Sequence, residues 1–306
     1  MEGLRVKLPH KHLVVAPLGD IQWTSRWEQD VAVTHLKAHI QRALAFEKQG
    51  YTVRFLGMGD YIDFMSPSNR DRFAGARLMD NTVLTVDDTA SALVTSLYEE
   101  VLKPTTGKWL GLLRGHHYHK FETGETSDTT LCKKLKTRHL GDSCYVQLTF
   151  LPSPTSEGSG SISLWAHHGA GSGTKLHSML LKMENLLPFW DADVFFAGHL
   201  PRLAHSPVNR VYPSFPSQGG FRLRHRTIHL VNTGGWFKSY VENAKRGQEP
   251  GGAYPEKAMM HPVALGAPFY HVIPKWFSPV DAKLGRKPNG DLRQHKYWQP
   301  ETWVEA

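Results

Sequence analysis

Apolar residues in the first half of the chain follow two alternating patterns. Short unbroken runs, His12 to Leu18 (HLVVAPL), Thr52 to Gly57 (TVRFLG) and Trp109 to Leu113 (WLGLL), read as buried strands. Between the first two, Val33, Leu36, Ile40 and Leu44 recur at the spacing of one helix face, and Gly50 supplies the stop. A second helix is expected to open at Thr85, which with Asp88 has the spacing of a capping box, and to run through Ala90, Leu93 and Leu97.

After a short helical segment around Leu131 to Leu135 the pattern turns β-rich. Ser143 to Leu151 and Ser161 to Ala166 read as two strands joined by the turn-forming PSPTSEGSGS, a hairpin with a loose loop. A helix from about Lys175 to Leu187 and strands Val194 to Ala197, Arg222 to Val231 and Phe269 to Ile273 follow. Pro207 to Gly220, rich in Pro, Ser and Gly, predicts an ordered loop or flap. The polar residues from Ser278 onward predict a tail that wraps the surface or is partly mobile. Strands alternating with helices and then forming hairpins predict a layered α/β sandwich, two packed sheets covered by helices. No repeat or strong linker divides residues 1–277, so one domain is expected there, with 278–306 as its tail.

Composition narrows the options. A chain of 306 residues with 40% hydrophobic content can bury a full core. No apolar run approaches the roughly 18 to 20 residues of a membrane span, and the opening MEGLRVKLPHKHLVV lacks the layout of a secretory signal, so a soluble, cytoplasmic protein with no membrane partner is expected. Cys132 and Cys144 are too few for a disulfide framework and lack zinc-site spacing, so both read as reduced thiols. A net charge of +8 favours a polyanionic partner or phosphorylated substrate. Of the 18 histidines, His10, His12, His35, His39, His225, His229, His261 and His295 sit in no pattern and read as surface or packing residues.

The informative feature is the residue type at the strand ends, where open α/β sheets bind their ligands. Gly19-Asp20-Ile21-Gln22, Gly59-Asp60-Tyr61-Ile62-Asp63, Gly115-His116-His117, His167-His168-Gly169 and Gly198-His199 each place metal-ligand or acid–base residues beside a glycine, which permits a sharp turn into a shared site. Any one alone reads as an ordinary turn or packed strand end. Five in order do not.

These residues closely resemble the ordered signature of the calcineurin-like metallophosphoesterases: Asp-x-His, Gly-Asp-x-x-Asp, Gly-Asn-His, a lone His, and Gly-His-x-His. The resemblance spans about Leu13 to His199, and Val231-Asn-Thr-Gly-Gly-Trp236 is similar to the strand that closes the site in phage and bacterial members. It implies a four-layer αββα sandwich of two mixed sheets flanked by helices, with a two-metal centre. Carried over by position, Asp60 would bridge two ions, Asp20 and Gln22 would hold the first, and His116, His168 and His199 the second. His117 would protonate the leaving oxygen or steady the phosphoryl group, oriented by Asp63.

Three positions depart from the signature. Gln22 replaces a histidine and offers only an amide oxygen, which suits Mg²⁺ or Mn²⁺ better than Zn²⁺. His116 replaces the asparagine and shifts the second site toward Mn²⁺, Fe or Zn²⁺. Pro201 takes the place of the second histidine of Gly-His-x-His, a loss without an obvious local substitute; His205, four residues beyond, is a weak candidate to reach in. Two divalent ions, Mn²⁺ foremost, are therefore implied, the first weakly held or absent. His167 is assigned a supporting or packing role, and Arg70, Arg72 and Arg202 stand close enough in sequence to be candidates for binding substrate phosphate.

The expected activity is metal-dependent phosphoester hydrolysis, with a phosphodiester, nucleic acid included, favoured. FRLRHRTIHL and KYWQPETW interleave aromatic and basic residues in a way that suits base stacking and phosphate contacts, but that half-buried strands show more commonly. The alternatives are a phosphomonoesterase acting on proteins or metabolites, and a non-catalytic nucleic-acid-binding protein on a degenerate scaffold. The likeness to phage-borne members suggests a role in phage or bacterial nucleic-acid processing. Oligomeric state is not legible in the sequence.

Overall fold

The computed structural model describes the chain except residues 25–29, 77, 153–157, 172, 174, 176, 216–220, 237, 239, 241, 243–244, 247–248, 251–255, 257–258, 260, 278–279, 281–284 and 293–296. Structural statements concern the described residues.

The unbroken apolar runs become neighbouring parallel strands. β2 (Leu13–Leu18) pairs with β3 (Thr52–Gly57) from Leu13↔Thr52 to Leu18↔Gly57, and β3 pairs with β4 (Trp109–Leu112). Parallel strands covered on both faces have no solvent side, which is why their sequences do not alternate. On the other edge of β2 lies the antiparallel strand Phe269–Ile273, followed by Glu301–Glu305, completing a five-stranded sheet. The polar stretch after Ser278 is thus not merely a tail, because it supplies an edge strand.

The second sheet has six strands. Its order is β1 (Glu2–Leu8), β5 (Ser143–Phe150), β6 (Gly160–His167), β7 (Val194–Ala197), β9 (Arg222–Thr233) and β8 (Leu203–Ser214). β5 and β6 form the expected antiparallel hairpin; most of its connecting turn lies outside the described residues.

The layers follow from which side chains meet. Leu13, Val15, Leu56 and Met58 of the first sheet pack on Val146, Leu148, Leu164 and Phe196 of the second. Helices α1 (Asp30–Lys48), α3 (Asp80–Leu97) and α4 (Ser127–Leu135) cover the outer face of the first sheet through Leu36, Ile40, Val94, Leu97 and Leu131. A shorter α2 (Pro67–Gly75) precedes α3, with Ser66 as its cap. On the far side α5 (Ser178–Glu184) places Met179 and Met183 against Phe195 and Leu230. The result is a four-layer αββα sandwich.

Three elements differ from the sequence reading. α3 starts at Asp80, and the Thr85 hydroxyl, instead of capping, donates to Asn81 O inside the helix at 2.8 Å. Pro207 to Ser214, read as loop, belongs to β8. An edge strand tolerates the missing N–H groups of Pro207 and Pro213, and β8 is the edge. β1 was not expected, although Leu4, Val6 and Leu8 alternate in it.

Histidines outside the strand ends stitch the layers. His12 Nε2 lies 3.1 Å from His271 Nδ1, and His271 Nε2 lies 2.9 Å from Glu305. His39 of α1 stacks on Phe269 with ring centroids 4.3 Å apart, and its Nε2 is buried with no hydrogen-bond partner. Burial, with the nearby charge of Arg42, lowers its pKa to about 3. The folded state therefore carries His39 neutral where the unfolded chain takes a proton below about pH 6.5. Its stability contribution is present above that value and is lost as pH falls toward the folded pKa; the loss reaches about 2 kcal/mol by about pH 5. His39→Phe keeps the stack and removes the titration. Urea midpoints at about pH 7.5 and about pH 5 should differ less in the variant than in the parent, and an equal acid loss in both would refute this.

Candidate metal centre

Because β2, β3 and β4 run parallel, their carboxyl ends lie side by side, and β6 and β7 of the facing sheet end at the same place. Asp20, Asp60, His116, His168 and His199 follow these five strand ends directly or within a few residues. The backbone makes abrupt turns there. Asp20 (φ 48°), Gln22 (φ 49°), Asp60 (φ 53°) and His199 (φ 68°) all adopt the left-handed region that side chains other than glycine avoid. The turns are pinned by Asp20 N–H donating to Gly59 O (2.9 Å), Gln22 N–H to Asp60 O (2.9 Å) and Trp236 N–H to Asp20 O (3.0 Å).

Glycines allow this crowding. A Cβ on Gly115 would stand 2.0 Å from the Asp60 backbone nitrogen and 2.2 Å from its Oδ1. A Cβ on Gly59 would meet the His168 ring at 2.6 Å, and one on Gly198 would meet Asp20 Oδ2 at 2.8 Å.

Asp60 is buried at the centre. Its Oδ1 accepts the backbone N–H of His117 at 3.0 Å and that of His116. Its Oδ2 lies 3.3 Å from His168 Nε2, while His168 Nδ1 donates to Met58 O at 2.6 Å and so fixes the tautomer. Asp60, His116, His168 and His199 each offer a donor atom, all within 4.8 Å of one another. His116 and His199 approach Nδ1 to Nδ1 at 3.1 Å.

Asp20 lies beside this group without joining it. Its Oδ2 accepts the His199 backbone N–H at 2.9 Å, tying the two sheets together at the site. Burial raises its pKa to about 7, with the Asp60 charge adding to the rise against His168 and the His199 N–H. Asp60 is buried, but the facing His168 and its charge outweigh that burial and hold it well below the usual carboxylate range. His168 is held correspondingly high, the Asp60 pairing outweighing the burial of its ring. Burial and the charge of His168 lower His199 to about 4, leaving a neutral imidazole suited to ligation.

The chain itself tests whether a cation fits. His168 Nε2 is buried and has no hydrogen-bond partner although it faces Asp60, and Asp20 is a carboxyl buried where its charge is poorly compensated. One carboxylate and three imidazoles on four elements suit Mn²⁺, Fe or Zn²⁺. The residues fit a divalent metal.

His117 points its Nδ1 at Asp63 Oδ1 at 2.8 Å. Burial would lower its pKa, but that bond and the charges of Asp60, Asp63 and Asp20 raise it above the ordinary value. Gln22 is brought to the same turn through its backbone. Pro201 takes up packing space instead, its Cβ 3.0 Å from where a Cβ on Gly235 would sit, beside Asp20. His205 turns away to His229, with Nε2 3.0 Å from Nδ1, so it does not replace the missing donor. His167 accepts the Gly169 N–H at 2.7 Å and supports the turn that carries His168.

The three arginines are not equivalent. Arg70 donates to the carbonyls of Met65 (2.6 Å), His116 (2.5 Å) and Tyr118 (3.1 Å) and stacks on the Tyr118 ring at 3.9 Å, so it braces the loop carrying His116 and His117. Arg72 is exposed on α2, and Arg202 is half-buried with its carbonyl accepting from Asn232 at 2.5 Å.

Two groups that bear on the site were not singled out from the sequence. Asp128, buried in the first turn of α4, accepts the Gly115 N–H at 3.3 Å from beneath, and burial raises its pKa to about 7. His119 Nε2 meets Asp87 Oδ1 at 2.5 Å and anchors the far end of the same loop. In the sequence Asp128 stands just before the helical segment around Leu131 to Leu135, and nothing there shows that it lies under Gly115.

No protein-family model and no curated protein matches the chain. Among solved structures it is similar to Vps29 of Chaetomium thermophilum, at 10% identity and a TM-score of 0.28 over 96% of this chain and 97% of that one. It is likewise similar to a conserved predicted phosphoesterase of Streptococcus pneumoniae TIGR4, at 8% identity and a TM-score of 0.28 over 94% of this chain and 98% of that one. Likeness at this level carries no weight for function, and the reading of the site rests on the geometry above.

Proposed function

We propose that the chain is a metal-dependent phosphoester hydrolase acting on phosphodiesters. The observation that carries this reading is the juxtaposition of a four-residue metal-donor set with an oriented imidazole, His117 paired to Asp63. The ordered likeness of these strand-end residues to the calcineurin-like metallophosphoesterases supports it.

Asp60, His116, His168 and His199 would hold the better-supplied ion, and Asp20 with Gln22 the second. A bound divalent metal neutralises phosphoryl charge and makes a water nucleophilic near neutral pH. Mn²⁺ suits this mixed set of oxygen and imidazole donors. The protein's own part is positional. Buried Asp60 fixes the His116–His117 backbone through two N–H bonds, so the donors and the acid move as one body. His117, with Nδ1 committed to Asp63, offers Nε2 to the leaving oxygen and gives it a proton as the ester bond breaks.

Hydrolysis of bis(p-nitrophenyl) phosphate and p-nitrophenyl phosphate with Mn²⁺ tests the reading. Diester cleavage in excess of monoester cleavage is expected. His117→Ala should cost about 10² to 10³-fold on an alkyl phosphodiester but much less on the nitrophenyl ester, whose leaving group needs no proton; Asp63→Asn should cost about tenfold in the same pattern. Equal losses on both substrates would remove His117 from the acid role. Pro201 favours a second reading, a nucleic-acid-binding chain that lacks hydrolysis because its first metal position is short of a donor. Absence of cleavage of either dye with any divalent metal would decide for it.

A further inference from the structure

A second feature lies along the edge where the two sheets end together. β1 is the last strand of the six-stranded sheet and β4 of the five-stranded sheet, and a cavity of about 560 Å³ opens between them. Its apolar lining is Leu4, Val6 and Leu110, which belong to or pack on the inter-sheet core, together with Trp109 from the core under the helices. Its polar lining is Arg5, Lys7, Arg54, Lys136, Arg138 and Thr137, with no acidic residue among them; Arg5 donates to Gln147 Oε1 and Arg54 to Val53 O, both at 2.8 Å and both neutral acceptors. Among the described residues no carboxylate forms an ion pair with any of the five cations, although other Lys and Arg residues of the fold are so paired.

The cavity is separate from the metal donors yet connected to them. Arg54 precedes Asp60 by six residues on and beyond β3, which places it roughly 20 Å back along the strand direction. From Lys136 the chain runs beside β4: Leu112 N–H donates to Arg138 O (2.9 Å), Leu140 N–H to Leu112 O (2.7 Å) and Arg114 N–H to Gly141 O (2.8 Å). The segment therefore carries Lys136 and Arg138 along the edge toward Arg114, which directly precedes Gly115-His116-His117. Cations in a concave site with no carboxylate partner attract an anion, and Arg114, although paired with Asp142 at 3.4 Å, continues the basic edge to the proposed metal donors.

We propose that this cavity binds the phosphate backbone of a single nucleic-acid strand and leads it along the β4 edge to the metal donors. The inference deepens the phosphodiesterase reading and rests on it for the direction of the strand, whereas binding itself can be measured independently. The cavity has the volume of a small-ligand site, room for a short stretch of one strand. Cations on edge strands also discourage sheet-to-sheet association, but that role requires no binding that grows with the length of a strand.

The experiment measures anisotropy of fluorescein-labelled oligothymidylates in EDTA, so that no cleavage intervenes, across a salt series. The variant combines Arg5→Gln, Lys136→Gly and Arg138→Gln; all three residues are exposed, and glycine suits the left-handed backbone at Lys136 (φ 55°). Circular dichroism and the thermal midpoint check its fold. Affinity is expected to rise with oligonucleotide length, to fall roughly tenfold or more in the variant, and to show a log–log salt slope shallower by about two. Hydrolysis of the small diester dye should be unchanged. Unchanged oligonucleotide affinity in the variant, binding independent of length, equal affinity for duplex, or equally sensitive binding of polyglutamate would each overturn the proposal. If the parent binds strands as expected but cleaves no dye, the hydrolase reading falls and strand binding by the cavity stands without it.

Discussion

Asp60→Asn is expected to lower phosphodiester hydrolysis by about 10³-fold or more while leaving the fold in place. The asparagine oxygen can still accept the backbone N–H groups of His116 and His117, so the loop between β4 and α4 keeps its course. What disappears is the central negative charge. The amide would turn its NH₂ toward His168 Nε2, which now faces Asp60 Oδ2 at 3.3 Å, and would present a donor where a cation needs an acceptor. Metal content by mass spectrometry should fall with activity, and circular dichroism should not change. A variant that retained both metal and turnover would show that Asp60 is only a backbone anchor.

Gly115→Ala should be the most damaging small substitution on the chain outside the core. The added methyl would sit 2.0 Å from the Asp60 backbone nitrogen, and neither partner can retreat. Asp60 is bound to the following loop, and Asp128 holds Gly115 from below. Relief requires separating the ends of β3 and β4, at a cost of about 3 kcal/mol. Metal affinity should fall with it, because the separation displaces His116 relative to Asp60. Urea denaturation and a Mn²⁺ titration check the two effects. An alanine variant within about 1 kcal/mol of the parent would mean that the close approach is relaxed in solution.

Much of the fold was legible because burial on both faces leaves a plain trace. β2, β3 and β4 are apolar runs that end in glycine followed by an acid or histidine, and the structure brings their ends together with those of β6 and β7. Elements whose signal is weaker than their pairing were hidden. β8 contains Pro207 and Pro213, and only its place at the edge reconciles them with a strand. The strand Glu301–Glu305 looks polar because its neighbours on one side are solvent. For His205 the limit was geometric: closeness in sequence to His199 does not specify direction, and pairing β8 with β9 directs the ring to His229. Arg70 illustrates a similar limit, since a cation near proposed ligands can brace their carbonyls as readily as meet a phosphate.

The left-handed residues at the strand ends have a consequence for how the chain would change under selection. Asp20, Gln22, Asp60 and His199 each hold a conformation that glycine adopts freely. Glycine would relieve backbone strain of order 1 kcal/mol at each turn, but at Asp60 and Asp20 it would also strip the acceptors of the His116, His117 and His199 N–H groups. A screen for heat resistance that ignored chemistry would hold acceptors at Asp20 and Asp60 but drift toward glycine at His199, erasing a metal donor while sparing the scaffold. Persistence of the histidine there is therefore a more direct mark of a working site than the integrity of the core beneath it.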